Sequence, residues 1–391
     1  MDKAVQSPVM NTYKRLPFAL QSGSGSYVTA EDGTSYLDFT SGIAVCNLGH
    51  APKEVSEAVK AQMDQFWHCS NLFPITLQEE AAAVLTEAPG MDEVFFCNSG
   101  AEANEAAWKL ARKYQRDQGF AEKYHILSFH QSFHGRTGGA MAATGQEKIK
   151  HGFEPVMPGF SSIPFMDQEA LKQIDETTAA VFLEVVQGEG GVHPAGKNWL
   201  QQLQNVCRDK GALLIIDEIQ TGAGRTGTWF AYEQFGLEPD IVTAAKGIGS
   251  GFPVGAVLAS AETAASFSPG THGSTFGGNP LAMAAVKATK EAMTEPFLED
   301  VQHRSAWFKH QLQETAAPYG WEVRGLGFLL GIDLKEPAAP LLEKLRSNQV
   351  LALPAGENVL RILPPLTATD MELQLFLQAL TQAVQAWKEE V

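Results

Sequence analysis

The chain places a lysine, Lys246, where a charged side chain is unfavourable. In "IVTAAKGIGSGFPVG" (241–255) it stands between an apolar run and a glycine-rich turn. Lysines are rarely buried unless they are paired or used in chemistry, and burial lowers the pKa of an amine. A neutral amine is what a Schiff-base lysine must supply. A solvated loop lysine is the alternative that this segment alone leaves open.

A second candidate, Asp217, ends the apolar run of "LLIIDEIQTGAGRTG" (213–227). An unpaired carboxylate is costly there, so it needs a metal ion, an arginine or a protonated ring nitrogen as partner. A structural salt bridge would also explain it. The acidic strand end resembles that of a nucleotide hydrolase, but the companion pattern GxxxxGK[ST] occurs nowhere in the chain.

The third candidate is the segment "CNSGAEANEAA" (97–107), where a strand runs into a helix at Ser99, Gly100 and Ala101. Free backbone N–H groups at a helix start bind phosphate well. An ordinary N-cap by Ser99 with Glu102 as capping acid explains the segment equally well. Together the three features match pyridoxal phosphate: its aldehyde on Lys246, its ring nitrogen on Asp217 and its phosphate at the helix start.

Apolar runs between about residues 94 and 260 must position these groups. They lack polar alternation, as expected for strands covered on both faces, and they alternate with helical patterns, so we predict a mostly parallel α/β sheet. Such sheets bind ligands at the carboxyl ends of their strands. The runs are "VFFC" (94–97), "HILSF" (125–129), "AAVFLEVV" (179–186), "ALLIID" (212–217), "IVTAA" (241–245) and "GAVLAS" (255–260).

Beyond about residue 280 the pattern changes to a long helix, "LAMAAVKATKEAM", followed by short strands around the helix "APLLEKLRSN". We therefore predict a large domain at 46–280 and a small α+β domain at 281–391. The N-terminal segment 1–45, with a hairpin around Asp32-Gly33, is expected to contribute to the small domain.

Composition excludes several classes of function. A formal charge of -16 argues against a nucleic-acid or anionic-membrane partner. The N-terminus shows no secretory signal pattern, and the four cysteines show no CxxC and no metal spacing, which favours reduced thiols in the cytoplasm. His130 and His134 are four positions apart, but without the glutamate of HExxH we expect no metal site.

Six longer motifs, in this order, resemble one known family. They are "SGAEANEAA", "FHGRTGG", "EVVQGEGG", "DEIQTGAGRTG", "AAKGIGSGFPVGA" and "HGSTFGGNPLAMAA". The chain resembles, over nearly its whole length, the class III, ω-amino-acid branch of the fold type I aminotransferases. The resemblance implies a large domain with a mostly parallel seven-stranded sheet between helices, a smaller α+β domain and pyridoxal 5'-phosphate as cofactor.

The resemblance also implies roles for residues around the cofactor ring. Lys246 would form the Schiff base and move the substrate proton. Asp217 would keep the pyridine nitrogen protonated, which makes the ring a better electron sink. Gln220 would contact the ring hydroxyl, and Phe133 would lie on the ring face, although a lone phenylalanine is usually core.

By the same resemblance, the phosphate would be bound by Ser99 and by the N–H groups of Gly100 and Ala101. Thr275 in "HGSTFGG" would add its hydroxyl from a partner subunit. The resemblance therefore implies a homodimer with a shared active site.

Two arginines indicate the substrate class, because a guanidinium group suits a carboxylate. By resemblance, Arg136 would hold the distal carboxylate and Arg361 the α-carboxylate of glutamate or 2-oxoglutarate. Glu189 would mask Arg361 when the donor lacks a carboxylate beside its reacting carbon. Ile43 stands where ornithine-specific relatives have a tyrosine for the free α-amine, which favours N-acetylornithine, and Ser274 would contact that acylated substrate.

We therefore predict a cytoplasmic aminotransferase that uses N-acetylornithine and 2-oxoglutarate in arginine biosynthesis. Succinylornithine, ornithine and 4-aminobutyrate stay open as amino donors. An isomerase like glutamate-1-semialdehyde aminomutase needs no 2-oxoglutarate. A non-enzymatic module with this fold would have lost Lys246, Asp217 or the arginines, and none is lost.

Overall fold

The apolar runs of the sequence form the central sheet. A computed structural model of the chain describes residues 8–389, and within that range the sheet has seven strands, so the predicted fold class is confirmed. Gly255–Ala259 runs antiparallel to both its neighbours, while the other pairs are parallel. In spatial order the strands are Glu93–Cys97, Gly255–Ala259, Ile241–Ala245, Leu213–Asp217, Thr178–Leu183, His125–Phe129 and Phe160–Ile163.

Two details of the sheet differ from the sequence prediction. The edge strand Phe160–Ile163 was missed because its two serines interrupt the apolar pattern, which an edge strand with one neighbour tolerates. The run 179–186 was predicted as one strand, but the strand ends at Leu183. Val186–Gln187 instead pairs with His193–Pro194 in a separate ribbon. The turn of this ribbon carries Glu189.

Helices cover the sheet and follow the amphipathic patterns of the sequence. Gly100–Asp117 buries the predicted alanine-rich face against the sheet, and Lys197–Lys210 ends at Gly211, whose φ of 62° suits a residue without a Cβ. The helices of at least six residues are Lys53–Met63, Thr76–Leu85, Gly100–Asp117, Gly138–Ala143, Lys197–Lys210, Pro280–Ala292, Glu295–Ala316, Ala339–Ser347 and Asp370–Lys388.

Two smaller four-stranded sheets are also present in the described part of the chain. One is antiparallel, in the order Glu322–Leu326, Leu329–Asp333, Val359–Ile362 and Leu353–Ala355. The other is formed by Leu20–Ser24, Tyr27–Ala30, Ser35–Asp38 and Val350–Leu351. The N-terminal hairpin around Asp32-Gly33 is therefore present and shares a sheet with a C-terminal strand.

The domain boundaries stay a prediction. Residues 1–7 of the predicted N-terminal segment and residues 390–391 of the predicted small domain lie outside the described residues. Within residues 8–389 there is no helix with the length and hydropathy that crossing a lipid bilayer requires.

A buried arginine, Arg225, joins three separate segments. Its guanidinium donates to the carbonyl oxygens of Phe328 and Pro364 and to Oδ1 of Asn47 at 2.6 Å. Asn47 returns a hydrogen bond to the carbonyl of Ala223 at 2.7 Å. Arg225 is fully buried, and burial lowers its pKa; it has no acidic partner among residues 8–389. Three buried oxygens therefore take a hydrogen bond from one side chain.

We predict that Arg225→Met lowers the free energy of unfolding by about 2–4 kcal/mol, because it leaves those oxygens unpaired in the interior. Urea denaturation of the cofactor-free protein measures the change. The matched control is Arg208→Met, which removes an exposed ion pair with Glu238 and should change stability by about 0.5 kcal/mol or less. Equal effects of the two substitutions would contradict the role given to Arg225.

Candidate active site

A cavity of about 400 Å³ lies at the carboxyl ends of the central strands. Its wall is formed by residues from the segments that the sequence singled out, together with several that it did not. The predicted site residues in the wall are Ser99, Gly100, Ala101, Phe133, Arg136, Glu189, Asp217, Gln220 and Lys246. The cavity is also lined by Val45, Asn98, His134, Gly135, Glu184, Ile219, Ala245, Gly251, Phe252, Pro253 and Val254.

Lys246 follows the strand Ile241–Ala245 and begins a short 3₁₀ turn with a φ of 48°, a conformation that non-glycine residues seldom adopt. Its amine has no hydrogen bond and no ion pair within residues 8–389. Burial lowers the pKa of Lys246, although the Glu189 carboxylate acts in the opposite direction. The cavity thus contains an uncommitted amine that loses its proton more readily than an exposed lysine.

Asp217 ends the central strand Leu213–Asp217 and is only 3% exposed. Its Oδ2 accepts hydrogen bonds from Asn104 Nδ2 at 2.9 Å and from His134 Nδ1 at 2.8 Å, and its Oδ1 accepts one from the Ile219 N–H at 3.1 Å. The sequence predicted a partner for this carboxylate but identified neither Asn104 nor His134. These three donors fix the position of the Asp217 carboxylate at the cavity wall.

His134 contacts Asp217, whereas its four-residue spacing from His130 had raised the question of a metal site. Its side chain is fully buried, stacks on Phe182 with 4.4 Å between ring centroids, and carries the Nδ1 contact to Asp217. Its Nε2 has no partner in the described chain, while His130 lies at the surface. Among residues 8–389 no group of three or more histidine, cysteine or acidic side chains could hold a metal ion.

The helix start at 99–101 has both the N-cap and the free N–H groups of a phosphate site, the two interpretations that the sequence left open. Ser99 Oγ accepts from the Glu102 N–H at 3.2 Å, and the Glu102 carboxylate accepts from the Asn98 N–H at 2.7 Å, so the cap is present. Gly100 and Ala101 nevertheless line the cavity. Because they are the first helical residues, their backbone N–H groups have no acceptor within the helix. A Cβ on Gly100 would lie 2.8 Å from Ile219 Cδ1, so a larger residue here would require the Ile219 side chain to shift.

These features fit pyridoxal phosphate. The unpaired amine of Lys246 suits its aldehyde, the buried Asp217 carboxylate suits a protonated ring nitrogen, and the helix start at Gly100 and Ala101 suits its phosphate. The structure thus brings together the three groups on which the sequence argument depended.

An arginine from the small antiparallel sheet, Arg361, contacts the cavity residue Glu189 but does not itself line the cavity. Arg361 is 2% exposed and lies on Val359–Ile362. Its Nη1 and Nη2 donate to the two carboxylate oxygens of Glu189, at 2.5 and 3.2 Å. Burial raises the pKa of Glu189, but the charge and hydrogen bonds of Arg361 outweigh it, and the net pKa is lowered. Arg361 is therefore masked by an ionised side chain of the same chain.

The sequence reasoning also missed Glu184, the acid inside the apolar run 179–186. Its carboxyl group accepts a hydrogen bond from the Phe133 N–H at 3.0 Å. Burial, reinforced by the charge of Asp217, raises the pKa of Glu184 well above the ordinary value. An acidic residue in the middle of an apolar run was the signal that could have identified it.

Arg136 stands at the mouth of the cavity. It is exposed, and its guanidinium carbon lies 5.9 Å from the centroid of the Phe133 ring. The structure records no ion pair for it within residues 8–389. Arg136 and Arg361 are thus two cationic groups of the same site, one open and one masked.

Besides Arg361, three predicted residues lie outside the cavity of the single chain. Ser274 Oγ accepts from Asn98 Nδ2 at 3.2 Å and from the Gly277 N–H at 2.9 Å, and Thr275 is exposed. Ile43 is 43% exposed, and Val45 lines the cavity instead. The roles of these residues stay predictions.

The segment that carries Ile43 has an unusual backbone. All four residues of Ser41–Ala44 have positive φ, between 45° and 69°. Such a turn is unfavourable for residues with a Cβ and most of all for a β-branched one. It is anchored by the Ser41 hydroxyl, which donates to the Leu363 carbonyl at 2.6 Å. Strained turns of this kind are concentrated at functional sites.

Known proteins resemble the chain along almost its full length. A family model described as class-III aminotransferase matches residues 9–384. An acetylornithine aminotransferase from Oceanobacillus iheyensis is 54% identical over 382 residues, covering 97% of this chain and 96% of its own. One from Bacillus subtilis is 51% identical, with 97% and 98% covered.

Solved structures agree with these matches. An ornithine aminotransferase from Toxoplasma gondii superposes with a TM-score of 0.93 at 31% identity, covering 98% of this chain and 93% of its own. An N-acetylornithine aminotransferase from Stenotrophomonas maltophilia superposes with a TM-score of 0.85 at 36% identity, covering 97% and 98%. The uncommitted lysine, the buried aspartate and the helix start thus occur in a chain that belongs to the class-III aminotransferase family.

Proposed function

We propose that this protein is a pyridoxal-phosphate-dependent aminotransferase acting in arginine biosynthesis. It transfers the δ-amino group of N2-acetyl-L-ornithine to 2-oxoglutarate and releases N-acetyl-L-glutamate 5-semialdehyde and L-glutamate. The observation that carries the proposal is the masked Arg361 beside the unpaired amine of Lys246. The names of the relatives that are 51–54% identical support the choice of amino donor.

Residues on three elements would hold the cofactor. Ser99 and the N–H groups of Gly100 and Ala101 would bind the phosphate, and Asp217, kept in place by His134, would bind the ring nitrogen. Gln220 would contact the ring hydroxyl and Phe133 the ring face. When bound, pyridoxal phosphate supplies an electron sink for the charge that develops when a proton leaves the substrate carbon.

Lys246 would perform the proton transfer. Nζ would hold the cofactor in the resting enzyme. It would take a proton from the reacting carbon of N-acetylornithine in the first half-reaction and deliver one to the reacting carbon of glutamate in the second. Burial suits this role because it lowers the pKa of the amine toward neutrality.

Two substrates of different charge must use one site. N-acetylornithine has a methylene group beside its reacting carbon, so Glu189 stays on Arg361 while Arg136 binds the distal carboxylate. Its acylated nitrogen would lie near Ile43 and Ser274. 2-Oxoglutarate has a carboxylate beside its reacting carbon, which would displace Glu189 and bind Arg361.

We further propose that the enzyme is a cytoplasmic homodimer. An exposed apolar patch supports this, since such patches mark protein–protein interfaces. Thr275 precedes Phe276, which belongs to this patch, so its hydroxyl would reach the cofactor of the partner subunit. The cytoplasmic location is supported by the four free cysteines, which suit a reducing compartment. The patch comprises Phe66, Trp67, Leu72, Phe73 and Phe276, and Asn71 ties its two segments together by donating to the carbonyls of Ser274 and Gly277.

The first prediction tests the substrates. With the purified holoenzyme, N-acetylornithine should remove the visible absorbance of the bound cofactor, and 2-oxoglutarate should restore it.

Lys246→Ala should abolish turnover because the proton acceptor is lost. Lys210→Ala should retain turnover, because Lys210 is an exposed lysine paired with Glu176. A side-by-side assay with succinylornithine, ornithine and 4-aminobutyrate would show a wrong choice of donor as faster turnover of one of these.

The second prediction concerns His134. His134→Ala removes a hydrogen bond to the buried Asp217 carboxylate, so kcat should fall about tenfold to a hundredfold. Steady-state kinetics at saturating cofactor measure the change. His130→Ala alters a surface histidine of the same segment and serves as the control; a kcat for His134→Ala equal to that of the control would refute the role.

The third prediction concerns the dimer. Sedimentation of the wild-type protein should give a dimer, and Leu72→Asp with Phe276→Asp should shift it to monomers and lower activity, because charge is unfavourable in an apolar interface. Met371→Asp, an exposed apolar residue on the C-terminal helix, is the control. A wild-type monomer with full activity would disprove the shared site.

A further inference from the structure

Gln220 contacts both members of the pair that masks the carboxylate site. It lies in the turn after Leu213–Asp217 and is 7% exposed. Its Nε2 donates to Glu189 Oε1 at 3.2 Å, and its Oε1 accepts from Arg361 Nη1 at 3.2 Å. One carboxamide therefore binds the anion through its donor and the cation through its acceptor.

The backbone at Gly188 leaves space for this carboxamide. A Cβ on Gly188 would lie 1.9 Å from Gln220 Oε1, so any larger residue would displace the amide. The Gly188 carbonyl also accepts from Arg361 Nη1 at 3.2 Å. The ribbon turn that carries Glu189 is thus shaped around Gln220.

The guanidinium group of Arg361 is used unevenly in this arrangement. In the described chain Nη1 has three acceptors for its two hydrogens, on Gly188, Glu189 and Gln220, while the buried Nε–H has none. A carboxylate that replaces Glu189 can bind through Nη2 and the unused Nε in a bidentate manner. The Gln220 bond to Arg361 can persist in that state, whereas its bond to Glu189 is lost.

We propose that Gln220 is a positioning residue that holds Glu189 on Arg361 and so lowers the affinity of the site for ligands with a carboxylate beside the reacting carbon. This inference rests on the proposed function, since only a site with two kinds of substrate needs a mask of adjustable strength. One hydrogen bond to an ionised carboxylate is lost when the mask opens, which corresponds to about a tenfold effect on binding.

The test measures equilibrium binding, separately from turnover. Glutarate has the two carboxylates of 2-oxoglutarate but no keto group, and its Kd for the holoenzyme is obtained by calorimetry. Gln220→Met removes both hydrogen bonds, and Gly188→Ala displaces the carboxamide without changing its chemistry. Both variants should bind glutarate about tenfold more tightly than wild type.

Two further variants complete the design. Glu189→Gln removes the charge of the mask and should also tighten glutarate binding. Gln115→Met is the matched control, because Gln115 is a buried glutamine that donates to the carbonyls of Ala179 and Gly211, away from the cavity. Its glutarate Kd should equal that of wild type. A gain in affinity cannot arise from general structural damage, which weakens binding.

Unchanged or weaker glutarate binding in either Gln220→Met or Gly188→Ala would overturn the inference. In steady-state assays of the holoenzyme, the ratio of KM for 2-oxoglutarate to KM for N-acetylornithine should fall in both variants. If wild type transaminates N-acetylornithine but the variants bind glutarate as wild type does, the inference alone fails. If wild type does not use N-acetylornithine yet the variants gain affinity for glutarate, only the proposed donor fails.

Discussion

The site depends on a carboxylate that the fold buries at the end of its central strand. Asp217 is almost inaccessible, and an ionised group there is stable only with donors around it. The helix Gly100–Asp117 supplies Asn104, and the segment after His125–Phe129 supplies His134. Meeting this one requirement fixes the positions of the helix start and of the loop that carries Phe133 and Arg136.

The neighbouring strand places the amine relative to that carboxylate. Asp217 pairs in parallel register with Thr243, so the chain reaches Lys246 three residues beyond this pair. The same burial affects the charges in opposite ways: it lowers the pKa of Lys246 and raises that of Glu184. The Asp217 and Glu189 carboxylates of the cavity are each held by specific donors.

The carboxylate site depends on contacts between distant parts of the chain. Arg361 comes from the small antiparallel sheet, Glu189 from the ribbon turn and Gln220 from the central strand end. Arg225 fastens nearby backbone of both parts through Phe328 and Pro364. Stability and substrate choice therefore depend on the same junction.

The sequence by itself determined the mostly parallel central sheet and the meeting of Lys246, Asp217 and the helix start at 99–101 at one of its edges. Apolar runs report burial, and parallel strands bring their carboxyl ends to one edge, so local pattern and one rule of topology suffice. Only the tertiary structure decided that His134 and Asn104 hold Asp217, that Gln220 bridges Glu189 and Arg361, and that the run 179–186 divides. These contacts join segments far apart in the chain, and spacing along a sequence carries no information about which distant side chains meet.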